Sequence, residues 1–145
     1  MPQSKPLGHD DSSGFSFVKE ILKGEHTCAI NFDRLQKHPK KGYIIFEFLR
    51  CHEDQSVTPW TSHPNRYWYK NKQKFISLFR VAQDLNATLY LVNYAKSGTL
   101  HADKILVIRV DEIDEEKGIT KEKSWKMTKE KFSERFRKLN RESCE

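Results

Sequence analysis

The sequence predicts a single α/β domain in which a central mixed sheet is flanked by helices. Three observations predict it. Short runs of strand formers alternate with stretches of helical spacing; one run, YIIFEFLRC, is almost continuously apolar, as in a strand covered on both faces. At 145 residues, 37% of them hydrophobic and 12% aromatic, the chain suits one core rather than two domains.

Residues 1–13 combine Pro, Gly, Ser and two Asp without apolar periodicity and predict a flexible N-terminal tail, with the domain spanning residues 14–140 and a short C-terminal tail at 141–145. Phe15, Val18, Ile21 and Leu22 fall on one helical stripe over residues 15–23, and Gly24 is the stop. Residues 27–35 (TCAINFDRL) predict a strand, residues 36–42 (QKHPKKG) a polar turn, and residues 43–51 a second strand. A long loop follows, and Phe75, Leu78, Phe79, Ala82 and Leu85 then mark a helix that Asn86 caps. Strands are predicted at residues 88–95 and 104–110, paired across a turn at 97–103. A closing amphipathic helix covers residues 128–139, with Thr128 as its capping hydroxyl and Phe132, Phe136 and Leu139 as its stripe.

The formal charge is +6, and residues 111–145 hold ten acids and ten bases, so the whole excess lies before them. Between Gln55 and Gln83, Arg66, Lys70, Lys72, Lys74 and Arg80 occur without an acid and are interleaved with Trp60, Tyr67, Trp68 and Tyr69, a pattern that points to a polyanionic partner. No apolar run is long enough to cross a bilayer, and the first residues lack the apolar stretch of a signal peptide, so the expected setting is cytoplasmic, without a membrane partner. Cys28, Cys51 and Cys144 are an odd set, which argues against a disulfide framework. The group His26, Cys28, Cys51 and His52 lacks zinc-ligand spacing, and buried structural cysteine is the plainer reading.

The anomaly is Glu47, a carboxylate in the middle of IIFEFL, where it needs a partner or a cation. With Asp33 on the preceding predicted strand it could form a pair suited to Mg²⁺, which takes two carboxylates, water and a phosphate oxygen. A salt bridge to Arg34 or Lys104 would also satisfy it.

The order of helix with Glu20, strand with Asp33, strand with Glu47, basic helix and strand resembles the PD-(D/E)XK nuclease superfamily, particularly members similar to archaeal Holliday junction resolvases and restriction endonucleases. The resemblance covers about residues 15–110. It implies a restriction-endonuclease-like fold and a metal-dependent nuclease, or a nuclease-derived DNA-processing protein. Asp33 and Glu47 would hold Mg²⁺ or Mn²⁺, Glu20 would stand for the first-helix glutamate, and Gln73 for the glutamine that faces the site from the second helix. The partner it implies is nucleic acid, DNA foremost; many members act as homodimers.

One departure matters: where the family has lysine two residues after the second acid, this chain has Leu49, which can neither position water nor neutralise an oxyanion. Lys70 or Lys74 at the start of the basic helix is the substitute. Trp60, Arg66, Tyr67, Trp68, Lys70, Lys72 and Lys74 are the expected nucleic-acid contacts, although tryptophans beside a helix start also serve to anchor a loop. Leu49 favours a second reading, a noncatalytic nucleic-acid or protein binding module that keeps the nuclease fold.

Overall fold

A computed structural model describes residues 13–27 and 29–144. The predicted tail at 1–13 lies outside it but for Ser13, and Cys28 lies outside it too. The described chain forms an α/β domain with one five-stranded mixed sheet: α1 (Ser13–Leu22), β1 (Arg34–His38), β2 (Gly42–Arg50), a 3₁₀ turn (Pro64–Tyr67), α2 (Trp68–Asp84), β3 (Thr88–Tyr94), β4 (Lys104–Asp114), β5 (Gly118–Thr128) and α3 (Lys129–Ser143). The strands lie in chain order. β2 and β3 are parallel and joined through α2, while the other neighbours are antiparallel.

Strand alternation gives the sheet two faces. Ile45 of β2, Leu89 and Leu91 of β3, and Leu106, Ile108 and Val110 of β4 meet Trp68, Phe75, Leu78 and Ala82 of α2. The opposite face carries Ile44, Phe46, Val92, Ile105 and Val107 against Phe132, Phe136 and Leu139 of α3. α2 and α3 therefore each bury one stripe at three- and four-residue spacing, as their sequences require. Asn86, in the left-handed region at φ 52°, ends α2, and Thr128 caps α3 by accepting the Lys131 N–H at 3.1 Å.

Several boundaries differ from those read in the sequence. Residues 29–33 carry no strand: β1 begins at Arg34 and runs through part of the expected turn to His38. Its alternate residues supply the reason. Arg34 donates to Asn140, Gln36 to the Ser143 hydroxyl, and His38 pairs with Glu142, so the edge strand is tied to the last turns of α3. The same contacts keep residues 141–143 helical instead of leaving a tail.

β5 was absent from the sequence-based elements. It is an edge strand whose Lys, Glu and Ser side chains hide the alternation, a composition that discourages pairing with other chains. Register shifts at Val110/Glu112 and Glu112/Ile113 reverse its facing, so Ile113 and Ile119 join the α2 side while Trp125 and Met127 face α3. Gly118, at φ 100°, admits no Cβ, because one would stand 2.3 Å from Asn65 Oδ1. That close approach lets the Asn65 amide clamp the Ile119 backbone from both sides, at 2.8 and 3.0 Å.

α1 forms and stops at Gly24 as expected, but its apolar stripe of Phe15, Val18 and Ile21 stays exposed. Among the described residues no helix is long and apolar enough to cross a membrane.

Candidate functional site

Glu47 lies on the α2 face of β2, only 5% exposed, with Ile45 before it and Leu49 after it on that face. Lys74, within the first two turns of α2, sets its Nζ 2.7 Å from Glu47 Oε1. The alternative partners that the sequence offers, Arg34 or Lys104, do not fill this role: Arg34 points to the opposite face, over the Phe136 ring, and Lys104 lies over Trp60. Glu47 Oε2 has no hydrogen-bond partner among the described residues. Burial pushes the Glu47 carboxyl above its ordinary range; the hydrogen bond and charge of Lys74 pull it down, the Asp33 charge pushes it up again, and the nearby Asp33 backbone N–H weakly lowers it.

Asp33 stands one residue before β1, not on a strand. Arg34 pairs with Phe46, so continuing the register by one residue sets Asp33 opposite Glu47 and on the same face. Its Oδ2 accepts the Phe48 N–H at 2.8 Å, replacing the ladder bond lost where β1 starts. The two residues therefore lie near each other at the start of β1, close enough for the Asp33 charge to act on the Glu47 carboxyl. Among the described residues no group of three or more His, Cys, Asp and Glu is placed to hold a metal, so any ion here rests on these two.

Beside the pair, at the carboxyl ends of parallel strands β2 and β3, opens a cleft of about 670 Å³. Ligands favour that end of an α/β sheet. Arg50, Arg66, Lys70 and Lys74 line the cleft with no Asp or Glu among its walls. Comparison of the chain with protein-family models, with curated proteins and with solved structures finds no match in any of the three.

The remaining expected residues divide. Lys70, one turn before Lys74 on the same helix face, lines the cleft with Arg66 and Tyr67. Burial pushes the Tyr67 phenol up to about 12, so it stays neutral and able to donate. Lys72 points elsewhere, 3.5 Å from Glu116 and over the Tyr69 ring. Gln73 is exposed and outside the cleft lining, where Asn71 stands instead, and Glu20 is exposed on α1.

Trp68 is a core residue, stacked on Phe75 with its indole N–H on the Glu115 carbonyl at 2.9 Å, so it has no free face for a base. Trp60 donates to the Ile105 carbonyl at 3.1 Å and anchors the loop to β4. Cys51 is buried with its Sγ 3.3 Å from the Val57 carbonyl, as a structural cysteine. The residue that sequence reasoning missed is Asn93, a polar interruption of TLYLVNYA, detectable by the argument that singled out Glu47.

Proposed function

We propose that the chain acts on phosphodiesters as a divalent-metal-dependent nuclease or a nuclease-derived DNA-processing protein, on a restriction-endonuclease-like domain. The observation that carries this reading is the Glu47–Lys74 pair. Lysine, missing at Leu49 in the Glu47-Phe48-Leu49 tripeptide, reaches the second acid from α2 instead. The order α1, β1, β2, α2, β3 is the element order on which the resemblance rests, within a general α/β architecture.

The donors fit a hard cation. Glu47 offers a buried oxygen without a donor, and Asp33 sits across from it; Mg²⁺ and Mn²⁺ take one or two carboxylates and keep water as the remaining ligands. Asp33 and Glu47 would hold the ion, which when bound activates water and offsets charge on the phosphate. The chain's own groups do the rest. Lys74 favours the ionised form of Glu47 against its burial and presents an ammonium at the edge of the cleft. Arg66 and Lys70, which line the cleft, would receive the flanking phosphates.

A noncatalytic module is the second reading, and one observation favours it. Lys74 already occupies one Glu47 oxygen and the Phe48 N–H one Asp33 oxygen, an arrangement that also ties α2 and β1 to β2 without an ion. Cleavage assays on single-stranded, branched and duplex DNA with Mg²⁺ or Mn²⁺ separate the two. The nuclease reading requires metal-dependent cleavage that Glu47→Gln removes while binding persists. Binding without cleavage in the folded wild type supports the module.

A further inference from the structure

Asn93 is the other buried polar group on the α2 face. It pairs in register with Leu49, while Glu47 pairs with Leu91, so Asn93 and Glu47 are diagonal neighbours on adjacent parallel strands. Asn93 is 1% exposed and lines the cleft. Its Nδ2 donates to the carbonyls of Pro59, at 3.2 Å, and Ser62. Two carbonyls can only accept, so the amide has one orientation, and Oδ1 is the atom left over. Among the described residues nothing donates to it.

The cleft thus makes two demands on whatever enters it. Arg66 and Lys70 call for negative charge, and Asn93 Oδ1 calls for an N–H or O–H donor. An ionised phosphodiester answers only the first, because its oxygens accept. A nucleotide answers both, with its phosphates and with a base amine or sugar hydroxyl. In a duplex the base edges are stacked and paired, whereas an unpaired nucleotide can turn its base into a pocket. The volume, about 670 Å³, lies in the range of small-ligand pockets, and Tyr67 and Phe75 give the walls an aromatic component.

We propose that the cleft receives one unpaired nucleotide of a nucleic-acid strand, with Asn93 Oδ1 accepting a donor from its base or sugar and Arg66 and Lys70 holding its phosphates. This rests on the phosphodiester reading and narrows its substrate to single-stranded or locally opened nucleic acid. Asn93 Nδ2 fastens the loop whose Ser62 lines the cleft.

The test uses the full chain with chelator present, so that binding is read without cleavage. Fluorescence anisotropy compares a labelled single-stranded DNA, the same strand carrying abasic sites, the RNA of the same sequence, and the blunt duplex. The expected result is single-strand binding at least about tenfold tighter than duplex binding. Loss of affinity at abasic sites assigns the donor to the base. A gain for RNA with abasic sites tolerated assigns it to the sugar.

Replacing Asn93, as in Asn93→Leu, would remove the loop-fastening bonds together with Oδ1, so the second readout uses the native side chain. The side-chain amide resonances of Asn93 should shift when the single strand is added and stay in place with inorganic phosphate. Equal affinity for single strand and duplex with unmoved Asn93 resonances would overturn this inference and leave the phosphodiester reading standing. No binding of any nucleic acid at low salt would overturn both.

Discussion

Lys74 Nζ and Glu47 Oε1 lie 2.7 Å apart and join the first two turns of α2 to the buried middle of β2. Burial outweighs the lysine's pull on the carboxyl, so its proton is held more tightly in the folded chain than in the unfolded one. Stability from such a group is complete below the unfolded pKa and is lost as pH rises through the folded pKa. Denaturation midpoints measured from acid to neutral pH should therefore fall through this window in the wild type. In Glu47→Gln that component of the decline should be absent; a variant profile parallel to the wild type's would contradict it.

The His38–Glu142 pair should act with the opposite sign. Nδ1 of His38 accepts the N–H groups of Lys40 and Lys41, so Nε2 carries the hydrogen and donates to Glu142 Oε1 at 3.3 Å. That bond holds the Glu142 carboxyl below its ordinary range. Its contribution is present above the unfolded pKa and is lost as pH falls through the folded one. Glu142→Gln should flatten the acid limb of the same stability profile, and an unchanged limb would show that the pair does not fasten β1 to α3.

Salt dependence should distinguish lysines that look equivalent in the sequence. Arg66 and Lys70 line the cleft, whereas Lys72 is engaged by Glu116. Each phosphate contact on a single strand contributes about 0.7 to the slope of log affinity against log salt. Arg66→Ala with Lys70→Ala should lower the slope by about 1.4, at ~0.7 per contact. Lys72→Ala should leave it unchanged, and equal effects from all three would point to diffuse attraction instead of a site.

The legibility of the molecule followed the strength of its local patterns. YIIFEFLR, the α2 stripe and the Thr128 cap were readable because apolar spacing and a capping hydroxyl are local properties. β5 was not, because an edge strand with one solvated face carries lysines wherever neither helix covers it. β1 shifted because its anchors are on α3, more than a hundred residues away in the chain. At the site, Glu47 announced itself as a charge inside an apolar run. Its partner did not, since which of several lysines reaches it depends on how α2 is rotated on the sheet. Lys70 and Lys74, one turn apart, face the cleft and Lys72 between them does not, a split that helical geometry contains once the helix face is known.

On the nuclease reading, moving the lysine should move the proposed activity. Lys74→Met should reduce metal-dependent cleavage by about a hundredfold, the usual scale for losing one charge-stabilising group. Adding Leu49→Lys in that background should restore part of it, because residue 49 shares the α2 face with Glu47. The half-buried site should cost about 1–3 kcal/mol of stability, read by thermal denaturation. A folded double variant no better than Lys74→Met would show that the ammonium at this place is not what the chemistry lacks.

On the nuclease reading, Asp33 and Glu47 form a divalent-cation site completed by Lys74. Anomalous diffraction from crystals soaked in Mn²⁺ decides whether they do. The expected result is one Mn²⁺ bound by both carboxylates, with Lys74 Nζ at the rim and the peak absent in Glu47→Gln. A saturating soak in which Glu47 and Lys74 keep their contact and no Mn²⁺ lies on either carboxylate would contradict it.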